Sequence, residues 1–185
     1  YSSNGGFVFA VQNDEKTNNL HFLGEAKISP ELIVTITSSV RFDTTAVSVH
    51  SGKIILFERI TGRYLRKIET NGIPAKRLII TEGFGFIVAE FPGEIVCYSL
   101  NGDRIVSMNV FFEIFYLNSF MSEDGFDFLF VSYKTGKIMI YEAFTLKVME
   151  KCEHNITTEI IDISYLQQLG TLLILTRDGK LFSFS

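Results

Sequence analysis

The sequence predicts an all-β chain assembled from repeated four-stranded antiparallel sheets, on three observations. One short phrase recurs four times at nearly constant spacing. Glycine falls almost wholly in the connections between apolar runs. No window of about a dozen residues carries a clean 3.6-residue apolar period, so helix content should be close to zero.

The phrase reads Gly52-Lys-Ile-Ile-Leu-Phe57, Gly93-Glu-Ile-Val-Cys-Tyr98, Gly136-Lys-Ile-Met-Ile-Tyr141 and Gly179-Lys-Leu-Phe-Ser-Phe184, with the glycines 41, 43 and 43 residues apart. A charged residue follows each glycine, then an aliphatic one, and an aromatic closes the run. A turn former stands before each: Ser51, Pro92, Thr135 and Asp178. This pattern is a hairpin followed by a strand, with the glycine supplying the positive φ that a tight connection demands.

The elements follow in order. Two strand candidates, 7–11 and 20–27, flank a polar loop over 12–19. The first full unit, about 31–69, pairs 32–37 with 45–49, runs through the glycine phrase, turns at Thr61-Gly62 and ends in a further apolar strand. The second, about 75–110, pairs 78–81 with 86–91 around Gly83 and turns again at Asn101-Gly102. The third, about 114–153, pairs 114–120 with 126–133 around Gly125. Its late turn, Phe144-Thr145, has no glycine. The fourth, 159–185, pairs 160–165 with 172–176 around Gly170 and stops after its third strand.

Four short hairpin-linked strands every 42 or so residues are the size and content of one β-propeller blade. Runs such as Leu-Ile-Val-Thr-Ile, Phe-Leu-Phe-Val and Leu-Leu-Ile-Leu are nearly continuous in apolar residues, as required where neighbouring blades cover both faces of a middle strand. A sandwich or barrel requires no such self-similarity. The expected fold class is therefore all-β: β-propeller blades of four antiparallel strands, forming a partial ring or the C-terminal portion of a larger propeller. Residues 1–30 are expected to supply the last strands of a preceding blade, or a ring-closing strand that completes the final one. The chain opens with Tyr-Ser-Ser-Asn-Gly-Gly and reads as a piece of a longer protein. An arc of blades taken alone would expose an apolar face and associate with itself or with the missing blades.

Composition narrows the function. The chain has 185 residues and is 46% apolar, enough for a sizeable core and against disorder. Its net charge of −4 and lack of a basic tract argue against a nucleic-acid partner. No apolar run is long enough to cross a bilayer as a helix, since even 110–117 is broken by Glu113, so no direct membrane insertion is expected. Cys97 and Cys152 match no zinc or redox spacing and read as small core residues in a reducing compartment. Asn155-Ile-Thr157 matches a glycosylation acceptor, read as chance in the absence of a secretory signal.

The aromatic that closes each phrase is twice followed by an acid, Phe57-Glu58 and Tyr141-Glu142, and resembles a degraded Trp-Asp signature of WD repeats from about residue 31 onward. The departures are plain: no Trp, no Gly-His pair before the inner strand, and no Asp at the family's usual place before the tight turn. More narrowly, His50-Ser-Gly-Lys with Thr61-Gly-Arg-Tyr-Leu-Arg-Lys-Ile, and Tyr98-Ser-Leu-Asn-Gly-Asp-Arg-Ile, are similar to the C-terminal propeller of BEACH-domain, neurobeachin-like proteins. That resemblance implies a cytoplasmic scaffold, peripheral to endomembranes through its partners, in vesicle or lysosome-related membrane traffic. It also implies a BEACH domain in the same chain.

Chemistry is sparse. The expected inner strands carry one carboxylate, Asp162, and a lone acid can neither hold a divalent cation tightly nor divide acid and base roles. His21, His50 and His154 fall in different units, and no Ser or Cys sits in a nucleophile motif. Gly83-Phe-Gly85 lacks the third glycine and the helix of a phosphate cradle. No catalytic residue, metal or cofactor is expected. A rival reading, a metal-dependent lactonase-like hydrolase, would need active residues in other blades. The expected site is instead one propeller rim, where the loop entering each blade lies beside the hairpin at the repeated glycine. It gathers Asn71, Ile73, Lys76, Pro92, Phe111, Phe112, Lys134, His154 and Arg177 for protein or peptide partners. Strand alternation is expected to bury at least one of Phe111 and Phe112.

Overall fold

The computed structural model describes residues 6–14, 19–29, 31–152, 156, 158–166 and 169–184. Of these, the side chains of residues 6–14, 19–29 and 150–152 lie outside the description. The described residues form seventeen strands and no α-helix. They divide into two compact units, Tyr1–Leu78 and Ile79–Ser185.

In the first unit, β1 (Gly6–Asp14) and β2 (Asn19–Ser29) form a two-stranded antiparallel sheet of their own. Gly24, within β2, pairs with Ala10 at a register shift. A four-stranded meander follows: β3 (Ile33–Ser39), β4 (Thr44–Val49), β5 (Lys53–Glu58) and β6 (Tyr64–Glu69). Every residue of β4 is buried, whereas β3 alternates. Val47, Val49 and Phe57 form the core of one face, with Ile33 and Ile55 against it.

β7 (Arg77–Ile80) pairs in a sheet with β8 (Ile87–Phe91), β9 (Glu94–Tyr98) and β10 (Arg104–Asn109). The next sheet holds β11 (Ile114–Met121), β12 (Asp127–Tyr133), β13 (Ile138–Glu142) and β14 (Val148–Cys152). The last has three strands, β15 (Ile160–Leu166), β16 (Thr171–Thr176) and β17 (Leu181–Phe184). In each sheet the strands lie side by side in chain order, as hairpin connections require.

The second unit shows why its middle strands are continuously apolar. Leu129, Val131 and Tyr133 of β12 join one core with Val88, Ile95 and Cys97, and intervening Phe130 joins a second core with Ile163, Leu172 and Ile174. Successive strand residues point to opposite faces, and here both faces are covered. Cys97 is a buried free thiol, and burial, with the Asp127 carboxylate adding to it, pushes its pKa up to about 12. The Cys152 side chain and the Asn155-Ile-Thr157 sequon lie outside the described residues, the Ile156 position apart.

The phrase glycines Gly52, Gly93, Gly136 and Gly179 all take positive φ, between 76° and 84°. Two other turns differ from the sequence reading. Gly85, rather than Gly83, takes positive φ in the connection between β7 and β8. The late turn of the third blade, lacking glycine, places Leu146 at φ 53°. It is the counterpart of Gly62 and Gly102: its N–H bonds the carbonyl of Glu142 as Gly62 N–H bonds that of Glu58.

Candidate functional site

Because the strands alternate in direction, the connection entering each sheet and the hairpin between its second and third strands lie at the same end. The structure joins them by backbone hydrogen bonds. In the first unit His50 N–H donates to Leu32 O at 2.9 Å and Thr70 N–H to Gly52 O at 3.1 Å. A Cβ at Gly52 would lie 2.2 Å from the Gly72 carbonyl carbon, so glycine is required there by space as well as by φ. Asn71, itself at φ 55°, Ile73 and Lys76 are exposed on this connection.

In the second unit one connection, 110–113, strings two hairpins together. Val110 N–H donates to Gly93 O at 2.8 Å at one end, and Lys134 N–H donates to Glu113 O at 2.9 Å at the other. Pro92, Phe111, Phe112 and Lys134 thereby share one end of adjoining sheets, all exposed. Phe111 is 89% exposed and Phe112 54% exposed, which corrects the expectation that alternation would bury one of them. The reason is that both residues lie between β10 and β11, outside any pleat. Phe112 stands edge-on to Tyr133, with ring centroids 6.3 Å apart. Beneath, Tyr133 and Tyr141 share a buried hydroxyl–hydroxyl hydrogen bond of 2.7 Å, and burial together with Tyr141 drives the Tyr133 hydroxyl pKa upward.

Farther along, Arg177 N–H donates to Glu159 O at 2.8 Å, and its guanidinium pairs with the Glu159 carboxylate. His154 lies outside the described residues. Three acids complete a recurring device: Glu31 with Lys53, Glu113 with Lys134, and Glu159 with Arg177. Each acid stands just before the first strand of its sheet and each base in or beside the facing hairpin. Exposed pairs of this kind contribute little stability, so they orient loops more than they stabilise them. Their signal in the sequence was the repeated placement of an acid ahead of β3, β11 and β15.

The first strands of these sheets offer little chemistry. Asp162 Oδ1 accepts from Ile163 N–H at 2.9 Å. Burial first, then the hydrogen bond and charge of Asp162, push the Tyr116 hydroxyl up to about 12. Among the described residues no three His, Cys, Asp or Glu side chains gather as they would around a metal ion. Among the described residues there is no helix long and apolar enough to cross a membrane.

No protein-family model matches the chain, and no curated protein matches its sequence. Solved structures do match in fold. The C-terminal WD40 domain of Sif2 superposes with a TM-score of 0.70 at 14% identity, covering 99% of this chain and 52% of that one. Saccharomyces cerevisiae Sqt1 gives 0.68 at 14% identity, covering 98% and 54%. BBS1N in complex with ARL6DN gives 0.71 at 13% identity, covering 88% and 50%. The computationally designed Ika4 protein gives 0.62 at 15% identity, covering 83% and 90%. The chain thus spans about half the length of the natural proteins named here. Its fold is all-β, built of four-stranded antiparallel sheets as in WD40 β-propellers.

Proposed function

We propose that the chain is a non-catalytic protein-interaction scaffold that presents the loops at one end of its blades to protein or peptide partners. The observation that supports this most is the Phe111–Phe112 pair, held in solvent by a connection hydrogen-bonded at both ends. Large rigid aromatics give much contact energy for little ordering entropy, and phenylalanine is enriched at protein interfaces. Pro92 and Lys134 beside them supply a stiff apolar contact and a charge. Similar folds occur in complexes, among them BBS1N with ARL6DN, which is compatible with this reading.

A finer assignment rests on the phrases around His50 and Tyr98 that resemble BEACH-protein propellers. On it, the chain acts in the cytoplasm at endomembranes, in vesicle or lysosome-related traffic, beside a BEACH domain. The hydrolase alternative is less favoured, because Asp162 is engaged with the Ile163 backbone and the Tyr116 hydroxyl rather than with other acids.

Affinity purification of the full-length protein, unaltered and as Phe111→Ser/Phe112→Ser, tests the scaffold reading. Specific protein partners recovered by the first and lost from the second are expected. The same partners recovered equally by both would overturn it.

A further inference from the structure

A second aromatic surface lies at the opposite end of the blades from the hairpin rim, in turns that the reading above does not use. Phe84 and Phe86 occupy the connection between β7 and β8, Phe126 ends the one between β11 and β12, and Phe144 sits in the turn after β13. Their rings form a continuous chain. Phe126 and Phe84 lie 6.5 Å apart, Phe84 and Phe86 stack at 5.6 Å, and Phe86 and Phe144 lie 5.7 Å apart. Three of the four face solvent, with Phe84 57%, Phe126 51% and Phe144 54% exposed.

The turns are rigidly held. The buried Asp127 carboxylate accepts from Thr81 Oγ1 at 2.6 Å, Gly83 N–H at 2.7 Å and Phe84 N–H at 2.8 Å. Its backbone carbonyl takes Ala143 N–H at 2.9 Å, so one residue ties three phenylalanine-bearing turns together. Thr81 Oγ1 in turn accepts Phe86 N–H at 3.0 Å. Exposed aromatic groups fixed in this way lose little freedom on binding.

Charge selects the occupant. The same three turns carry Glu82, Glu123 and Asp124, all exposed, against a single base, Lys147. Carboxylates ringing electron-rich aromatic faces attract guanidinium and ammonium groups, by cation–π contact and by charge, and repel phosphate. We propose that this surface docks a cationic peptide segment of a partner protein, one that sets Arg or Lys over the phenylalanine faces and apolar side chains between them.

The test uses the full-length protein and two fluorescein-labelled peptides, one alternating Arg and Leu, the other alternating Glu and Leu, read by fluorescence anisotropy. Saturable binding of the Arg peptide alone is expected. Its affinity should fall about tenfold or more in Phe84→Ser/Phe126→Ser and in Glu82→Lys/Glu123→Lys/Asp124→Lys, and fall with added salt. The charge variant alters exposed turn positions only, and so stands if the aromatic variant fails to fold. Phe111→Ser/Phe112→Ser should leave this binding unchanged, which separates it from the hairpin rim. No binding of the Arg peptide, equal binding of both peptides, or binding indifferent to the charge variant would overturn the proposal. So would sedimentation showing self-association that the charge variant abolishes, since the occupant would then be a second copy of this chain.

Discussion

Gly83 lies so close to Asp127 that the two can be read as one joint between sheets. The carboxylate accepts the Gly83 N–H at 2.7 Å, while a Cβ on Gly83 would come within 2.8 Å of the same oxygen and 2.5 Å of the Gly125 carbonyl. Because one of those neighbours is backbone, Gly83→Ala forces a shift and should lower stability by about 1–3 kcal/mol. Asp127→Ala leaves two N–H groups and the Thr81 hydroxyl without their acceptor and should cost about 2–4 kcal/mol. Urea unfolding midpoints check both, and an unchanged midpoint in Asp127→Ala would remove its role as a joint.

Leu146 is strained and buried at once. Its left-handed conformation costs about 1–2 kcal/mol, which Leu146→Gly would relieve. The same change removes a side chain packed in the core with Tyr141 and Leu129, at about 2–5 kcal/mol. Packing is the larger effect, so the variant should melt at lower temperature than the parent. A rise in Tm would mean that strain dominates.

The Cys97 thiol should resist alkylation in the folded protein at neutral pH, since burial raises its pKa from 9.0 to about 12. In a Cys152→Ser background, labelling by a disulfide reagent should follow unfolding rather than thiolate chemistry. The sign of the linkage is fixed: a group whose pKa is raised by folding contributes its stability fully below the unfolded value. For Cys97 that contribution is complete below pH 9 and lost as pH rises towards 12. Alkaline unfolding shifted upward in Cys97→Ala, after correction for the lost packing, is the expected outcome.

Phe111→Ser should change stability by less than about 0.5 kcal/mol, as exposed substitutions commonly do. Phe112→Ser should cost about 0.5–1.5 kcal/mol, because it loses the edge contact with Tyr133. Chemical denaturation of the two single variants separates binding residues from framework; equal and large losses would make both framework.

Much of the fold was legible because a glycine at each tight hairpin and apolar residues on both faces of β8 and β12 are direct demands of the geometry. The turn at Leu146 was not, since no residue type announced its positive φ and burial in the core alone keeps a leucine there. Phe111 and Phe112 were expected on a connecting loop with one of them buried, and both are exposed because neither lies in a pleated strand. The Phe84–Phe144 cluster was invisible, as its members are scattered over sixty residues and meet only through the Asp127 joint. The ion pairs of Glu31, Glu113 and Glu159 left a spacing signal weaker than that of the glycines.

The two cores of the second unit meet on opposite faces of β12. The sheet of β11–β14 is thus clamped from both sides, whereas β15–β17 has three strands and packs through the second of these cores. Local melting should therefore begin there, with deuterium entering the β16 amides well before those of β8 and β12. Unzipping of the last sheet would leave the Phe111 connection and the Asp127 joint intact, so loss of ordered structure at that end need not silence either surface.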